Sequence, residues 1–279
     1  MDIKDWIGRT ETVEDVVTAT PYAALSATLD REPARPERGT PLPALWHWLY
    51  FLPLHRQSEI GSDGHASRGG FLPPVPLPRR MWAGGRLWFH QPLRIGDAAS
   101  KVSRILDVSA KSGRSGSLAF VTVEHKYYGN NGLAVTEAHD IVYRENASPN
   151  APAPEPVPAP TGEEWVHEVA TDPVLLFRFS ALTFNGHRIH YDKQYVTAVE
   201  HYPDLIVHGP LQAMLLLELV RKNLPDAVVK SFSFRGVRPT FVPQRIFVCG
   251  KRSEDGKTVE LWIRHEDGAL AMSATAELN

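Results

Sequence analysis

A small polar cluster interrupts an apolar segment in the second half of this chain. Asn185, His187 and His190 stand within the run ALTFNGHRIHYD. An imidazole titrates near pH ~6.5, so His190 can take a proton from water and later return it. A carboxamide exchanges no protons at neutral pH, so we expect Asn185 to orient a water molecule or the imidazole. Taken alone, the cluster more often indicates a buried histidine with a structural role, and the functional alternative is acid–base chemistry on water with His190 as the titrating group.

A second motif follows shortly after the first. His208-Gly209-Pro210 precedes residues 211–220, an apolar run made mostly of strong helix formers. Proline suits the first turn of a helix, and a helix that is apolar on nearly all faces is buried. The first N–H groups of such a helix lack partners within it and carry partial positive charge. We therefore expect the Gly209 N–H to stabilise negative charge on a carbonyl oxygen, beside an orienting His208.

Together these motifs resemble those of the MaoC-like hot-dog hydratases and dehydratases, whose hydratase 2 motif reads about S-G-D-x-N-P-x-H. An H-G-x-L segment follows it at the start of the central helix. Residues 183–190 and 208–211 match these runs, and Asp-x4-His becomes Asn185-x4-His190. The resemblance extends from about residue 81 to the end. Within the family, FSALTFNGHRIHYD resembles the subgroup of mesaconyl-C4-CoA (methylfumaryl-CoA) hydratases and mitochondrial 3-hydroxyacyl-thioester dehydratases.

The resemblance implies an α+β double hot-dog fold, in which two tandem units each wrap an antiparallel sheet around a long central helix. It also implies addition of water to, or its removal from, the α,β double bond of an acyl thioester carried by CoA or acyl-carrier protein. No cofactor or metal is implied. The expected site combines three catalytic groups with four substrate contacts: Asn185, His190 and Gly209, with His187, His208, Arg235 and Arg238.

The nearest subgroup implies a short branched dicarboxylic enoyl-CoA such as mesaconyl-C4-CoA, with a medium or long enoyl chain as the alternative. A free carboxylate on the substrate would need a bidentate cationic partner. Arg235 and Arg238 lie in the run FRGVRP, and Arg86 and Arg114 are further candidates. Solvated charges at strand ends, or contacts to the CoA phosphates, explain these arginines equally well.

Three other functions are open at this point. The protein could bind an acyl thioester without chemistry, because Asn185 replaces the family's acid. A hot-dog thioesterase would need a carboxylate on the central helix, but Glu218 lies near the far end of that helix. A metal could use His187, His190 and Asp192, although the sequence indicates no fourth ligand.

The pattern of strands and breaks divides the chain in two. We predict an amino-terminal hot-dog unit over residues 1–146, an extended Pro/Ala linker over residues 147–160 and a carboxyl-terminal unit over residues 161–279. Each half reads as helix followed by antiparallel strands, which indicates an internal repeat. Because both motifs fall in the second unit, we expect the first to act as a scaffold that shapes a substrate tunnel.

The strands are predicted from alternating or continuous apolar runs rich in β-branched residues. Ahead of them we predict helix in residues 1–30, a short buried helix at residues 45–52 and a long loop at residues 56–78 that covers the tunnel. The predicted strands cover residues 85–89, 98–110, 118–128, 134–143, 228–237, 245–251, 258–265 and 269–278, with a strand-like run at 205–207.

Composition narrows the partners. The chain of 279 residues has a net charge of −2 and no clustered basic face, which argues against nucleic acid. Its apolar runs fall short of the ~20 residues needed to cross a membrane, and its amino terminus lacks a signal-peptide pattern. The single cysteine fits a reducing compartment. We therefore expect a cytoplasmic protein that acts on an acyl thioester, with a homodimer of double hot-dog subunits as one possible assembly.

Overall fold

A computed structural model describes residues 2–32, 35–113, 116–145 and 155–279. Its strands are β1 (Thr10–Val16), β2 (Arg79–Phe89), β3 (Ala98–Gly113), β4 (Gly116–Gly129), β5 (Gly132–Arg144), β6 (Trp165–Ala170), β7 (Val229–Gly236), β8 (Arg245–Arg252), β9 (Thr258–His265) and β10 (Leu270–Leu278). Its α-helices are α1 (Ala19–Thr28), α2 (Pro173–Leu182), α3 (Lys193–Ala198) and α4 (Gly209–Asn223). Short 3-10 helices cover Ile3–Trp6, Trp46–Leu49, Gln57–Glu59 and Arg188–His190.

All ten described strands join one sheet, in the order β1-β3-β4-β5-β2-β7-β10-β9-β8-β6. Every neighbouring pair is antiparallel. Taken from its two edges, the sheet repeats one connectivity: 1-3-4-5-2 in the first half and 6-8-9-10-7 in the second. The halves meet where β2 pairs with β7. This repeat confirms the predicted arrangement of two tandem α+β units.

The second half contains the predicted long helix. Pro210 occupies the first turn of α4, which runs for 15 residues. The helix packs against β8, β9 and β10. Nine of its side chains are buried, because apolar residues occupy nearly every face. The helix therefore fixes the position of its own amino end against the sheet.

The first half differs from the prediction of a long central helix in each unit. Among its described residues, α1 is the longest helix, with 10 residues. The predicted buried helix at residues 45–52 forms as the 3-10 turn Trp46–Leu49, with left-handed Leu45 before it and Phe51 after it. Pro43 and Pro53 flank this segment and leave it too short for a long helix. Large aromatic side chains fill the volume instead, and Trp46 is fully buried.

Two edge strands depart from the sequence prediction. Thr10–Val16, predicted as helix, forms β1 and pairs with β3, and β6 was not predicted. Both strands alternate exposed residues with few apolar ones, as expected for an edge with one solvated face. The run 205–207 forms only a single bridge, between Ile206 and Phe241. The eight other predicted strands form close to their predicted positions, and helix is confirmed at α1.

Two predictions fall outside the described residues, in whole or in part. Arg114 and residues 147–154 of the predicted linker belong to the undescribed part of the chain. The remaining linker residues meet β10, because Val157 O accepts a hydrogen bond from Leu270 N at 2.8 Å. In the described part of the chain, no helix is long and apolar enough to cross a membrane.

Candidate active site

The turn between α2 and α3 presents the polar cluster. Asn185 N donates to Ser180 O at 2.9 Å, and the preceding Phe184 adopts a left-handed conformation with φ of 48°. The chain then forms the 3-10 turn Arg188–His190, which leaves His190 only 7% exposed. The turn thus aims His190 inward, toward the start of α4.

A backbone contact defines which nitrogen of the neutral His190 ring carries the hydrogen. Its Nδ1 lies 2.7 Å from Ile206 O. A carbonyl only accepts, so Nδ1 carries the hydrogen and Nε2 holds the free lone pair. Burial lowers the pKa of His190 to about 4, although the Ile206 hydrogen bond opposes that shift. At neutral pH the ring is therefore neutral with a basic Nε2, the form that a general base requires.

His208 lies behind His190 rather than in front of it. The two rings stack with centroids 3.6 Å apart and planes 18° apart. His208 Nε2 lies 2.8 Å from Ser180 Oγ, and the residue is 1% exposed. It is absent from the lining of the cavity described below. His208 therefore does not meet the cavity directly, contrary to the predicted substrate contact, and the orienting role expected from the sequence stays a prediction.

Asn185 uses one end of its amide locally. Its Oδ1 accepts a hydrogen bond from His187 N at 3.0 Å, which closes a turn between the two residues. Asn185 lines the cavity. Because the oxygen is engaged by the backbone, the amide NH₂ is the part available to a ligand, and it can only donate.

The amino end of α4 contributes to the same cavity lining as Asn185 and His190. Gly209 lines the cavity, and its N–H has no hydrogen-bond acceptor among the residues that the structure describes. A Cβ atom built at Gly209 would meet nothing within 4 Å, so the space beside the Gly209 Cα is open. The first turn of a helix carries partial positive charge, which suits a carbonyl oxygen that gains negative charge.

His187 faces the cavity beside His190, at a ring separation of 5.5 Å and an angle of 90°. Its other neighbour is His65, whose ring centroid lies 3.9 Å away. His65 Nδ1 in turn lies 3.2 Å from Asp63 Oδ2. Burial lowers the pKa of His187, and the nearby His65 lowers it further. His65 and Asp63 were missed in the sequence because they lie in a loop far from the motif.

Loop 56–78 is held against the turn between α2 and α3 that contains Asn185, His187 and His190, here called the catalytic turn. Asp63 O accepts from Arg188 N at 2.9 Å, and Ser62 O accepts from the Arg188 guanidinium at 3.0 Å. Gly64 approaches Gly186 so closely that a Cβ atom on Gly64 would lie 1.8 Å from Gly186 O. The loop lines the cavity next to His187, as the prediction of a covering loop requires.

The three residues weighed as an alternative metal site, His187, His190 and Asp192, do not converge as a group of ligands. His190 Nδ1 is occupied by Ile206 O, and Asp192 pairs with Arg188 at 2.8 Å. Within the described residues, another group of three has ligand atoms within 4.8 Å of one another: Asp63, His65 and His187. The hydrogen bond between Asp63 and His65 already satisfies that carboxylate. We therefore interpret the group as a support for His187.

One cavity of about 1160 Å³ extends from Asn185, His190 and Gly209 to residues of the first half of the protein. Its apolar side includes Trp48, Trp82, Phe234 and Met272. A second side is polar and consists of Lys101, His125, Tyr127, Glu137 and His139, here called the polar wall. The predicted scaffold therefore also contributes charged groups to the cavity that contains His190.

Glu137 is the centre of the polar wall and is 1% exposed. Its Oε2 accepts hydrogen bonds from Tyr127 at 2.8 Å and Trp48 at 3.1 Å, and His47 Nε2 lies 3.6 Å away. Burial alone would raise the pKa of Glu137, but the His47 contact and the nearby imidazoles outweigh it and lower the pKa to about 2. The side chain is therefore a carboxylate at neutral pH.

The predicted arginines occupy different surroundings. Arg235 is exposed on β7 next to buried Phe234 and does not line the cavity, because successive side chains of a strand point to opposite faces. Its predicted substrate contact is corrected on this ground. Arg238 does line the cavity but donates to Asp267 Oδ2 at 2.7 Å. Arg86 is engaged by Asp140 at 2.8 Å.

Glu218, the carboxylate that a thioesterase reading would need, lies away from the cavity lining. It accepts a hydrogen bond from Trp46 Nε1 at 3.2 Å and pairs with Arg31 at 3.4 Å and with Arg221. These contacts give Glu218 a structural role between the helix and the first half of the protein.

Two tandem hot-dog units around a cavity with an imidazole, an amide and a helix start define the MaoC-like class of hydratases and dehydratases. A solved MaoC-like dehydratase superposes with a TM-score of 0.75 at 14% identity, covering 100% of this chain and 99% of its own. HtdX of Mycobacterium tuberculosis superposes with a TM-score of 0.67 at 19% identity, covering 97% and 100%. At these identities the comparison shows the fold.

Sequence comparison is more specific. The hydroxyacyl-thioester dehydratase type 2 family matches residues 45–242, and the chain belongs to that family. Mesaconyl-C(4)-CoA hydratase of Chloroflexus aurantiacus is 50% identical over 276 residues, which cover 98% of this chain and 96% of that protein. The mitochondrial hydroxyacyl-thioester dehydratase type 2 of Schizosaccharomyces pombe is 31% identical over 78% of this chain and 79% of its own. The protein is therefore a hydro-lyase of the hydratase/dehydratase type.

Proposed function

We propose that this protein adds water to, or removes it from, a short branched dicarboxylic enoyl-CoA such as mesaconyl-C4-CoA. The observation that carries the reaction is the Ile206 contact of His190, which engages Nδ1 and leaves Nε2 free, while burial keeps the imidazole neutral. The relative that is 50% identical over nearly the whole chain supports the substrate class. The charged polar wall also favours a polar acyl group over an alkyl chain.

In the hydration direction, the thioester oxygen accepts a hydrogen bond from the Gly209 N–H. The Asn185 NH₂ and His190 Nε2 position a water molecule at the β-carbon. Nε2 removes a proton while the water oxygen bonds to the β-carbon, and the π electrons move onto the α-carbon and thioester oxygen. The protonated ring then returns that proton to the α-carbon. Asn185 cannot titrate, so one imidazole performs both proton transfers.

A medium or long enoyl chain on CoA or acyl-carrier protein is the alternative substrate. Where such a chain lies against the polar wall, it would displace water from groups such as Lys101, His125 and His139 without replacing the hydrogen bonds of that water. Removing water from charged groups without compensation is costly. We also propose a cytoplasmic location, supported by the single cysteine, and a homodimer of double hot-dog subunits.

The test is the ultraviolet absorbance of the enoyl thioester, followed with purified protein and three substrates. Mesaconyl-C4-CoA should lose absorbance fastest, crotonyl-CoA more slowly and a long-chain enoyl-CoA slowest. Faster turnover of the long chain would contradict the substrate class. Saturable binding of all three without turnover would replace the hydratase with a non-catalytic thioester-binding protein.

A further inference from the structure

Arg80 lies on β2 and lines the same cavity as the catalytic turn and the polar wall. The residue is partly buried and stands opposite Tyr143 of β5 in the strand register. Among the described residues, no carboxylate lies within 4.0 Å of its guanidinium. Arg80 thus brings a positive charge to the cavity without a fixed counter-ion.

The positive charge of Arg80 acts on titratable groups from several parts of the cavity lining. Burial lowers the pKa of His187, His65 and His139, and the positive charge of Arg80 lowers each further. Burial raises the pKa of Tyr143, whereas the charge of Arg80 and its side-chain hydrogen bond with Tyr143 oppose that rise. These groups come from the catalytic turn, the covering loop, and strand β5. All of these groups line the same cavity as Arg80.

The other cations of the cavity are already engaged. Arg68 donates to Val75 O at 2.7 Å and to two further carbonyls, which ties down the covering loop. Arg238 is paired with Asp267, and Arg144 is exposed. Lys101 donates to Phe51 O at 3.3 Å, and its burial lowers its pKa. Arg80 is thus the lining arginine best suited to receive a ligand anion.

The nearby carboxylates are engaged as well. Asp63 holds His65 at 3.2 Å, and Glu137 accepts from Tyr127 and Trp48. The nearby imidazoles carry no negative charge, whether neutral or protonated, and so cannot balance the charge of Arg80. A partly buried cation gains most from an anion that binds it directly, and a planar guanidinium matches a carboxylate with two parallel hydrogen bonds.

We infer that Arg80 binds the free carboxylate of a short dicarboxylic acyl group and thereby selects it over a neutral acyl chain. This inference rests on the proposed function and names the residue that determines its specificity. With the thioester oxygen at Gly209 and the β-carbon at His190, a carboxylate at Arg80 places a compact acyl group across the catalytic turn. A longer alkyl chain would continue into the polar wall.

The test compares mesaconyl-C4-CoA with crotonyl-CoA, a short neutral enoyl thioester, in Arg80→Met. We expect the ratio of kcat/KM for the dicarboxylic over the neutral substrate to fall roughly 30- to 100-fold, because a charge-assisted bidentate contact is lost. The fall should appear mainly in KM of the dicarboxylic substrate. Arg80→Lys should recover only part of the ratio, since an ammonium cannot form the fork. Arg235→Met is the matched control and should keep the wild-type ratio.

An equal fractional loss on both substrates, or an unchanged ratio, would overturn the assignment, because a merely structural arginine affects both alike. A ratio that falls in Lys101→Met but not in Arg80→Met would also overturn it, by assigning the carboxylate to Lys101. Failure of the proposed function is distinguishable: the wild-type protein would then convert neither substrate, or crotonyl-CoA in preference to mesaconyl-C4-CoA.

Discussion

His190→Ala should lower kcat by about 10³-fold, within the range that a positioned general acid–base contributes. The substitution removes the only ring nitrogen at the catalytic turn that combines a free lone pair with a fixed direction. We expect KM to change little, because the Gly209 N–H and the cavity walls remain. The measurement is steady-state hydration of the enoyl thioester.

The control for this variant is His167→Ala. His167 is exposed on the edge strand β6 and lies outside the cavity lining, so its loss should leave kcat within about twofold. Circular dichroism and a thermal melt would establish that His190→Ala is folded despite the lost stack on His208. A folded His190→Ala protein with wild-type kcat would remove His190 from the mechanism.

Gly64→Ala should lower kcat by about 100-fold, the cost expected when a support shifts catalytic groups by roughly 1 Å. Gly64 has φ of +87°, and a new Cβ would lie 1.8 Å from Gly186 O. That contact is backbone, so the covering loop or the catalytic turn has to move. Because Asp63 and His65 belong to the same loop, His187 would lose its support.

Gly69→Ala is the matched control in the same loop. Gly69 has nearly the same backbone strain, with φ of +89°, but its nearest atom would be Pro74 Cβ at 3.8 Å. In both variants an alanine has to adopt the unfavourable left-handed backbone conformation. Only the new Cβ of Gly64→Ala also collides with the catalytic turn. Equal kcat values for the two variants would show that the contact between the loop and the turn is irrelevant to turnover.

The parts of this molecule that the sequence predicts well depend on local patterns. The helix α4 follows from a proline start and an uninterrupted apolar run, and eight of the strands follow from their alternation and turn residues. The Asn185-x4-His190 spacing predicts the catalytic turn because those residues lie on one short connection. When the residues of a motif lie on one short connection, their spacing in the sequence also keeps them close in space.

The parts that it misses depend on side chains that meet across the sheet. Glu137 and Lys101 lie on different strands, and neither stands in a motif, so only the folded sheet brings them to the cavity. Arg235 could have been placed by alternation, since the neighbouring Phe234 had to face the core. Arg80 gave no signal in the sequence, because its role depends on the absence of a nearby carboxylate in three dimensions.

The structure shows what the Asn185 side chain, which replaces the family's acid, can offer to a water molecule. Asn185 Oδ1 accepts the His187 N–H, so the NH₂ group is the part of the side chain that is free of contacts within the turn. A donor can hold the oxygen of the attacking water but cannot receive its proton. In the proposed mechanism the acid–base work then depends wholly on His190, whose tautomer is set by Ile206 and whose neutral state is set by burial.

The most direct test of this account is the ¹⁵N spectrum of the His190 ring, assigned by its loss in His190→Ala. We predict a neutral ring with the hydrogen on Nδ1 and an unprotonated Nε2, which persists as the pH falls to about 4 because burial has lowered the pKa of the imidazole. A ring with its hydrogen on Nε2, or an imidazolium at pH 7, would contradict the assignment of Nε2 as the base that removes a proton from water.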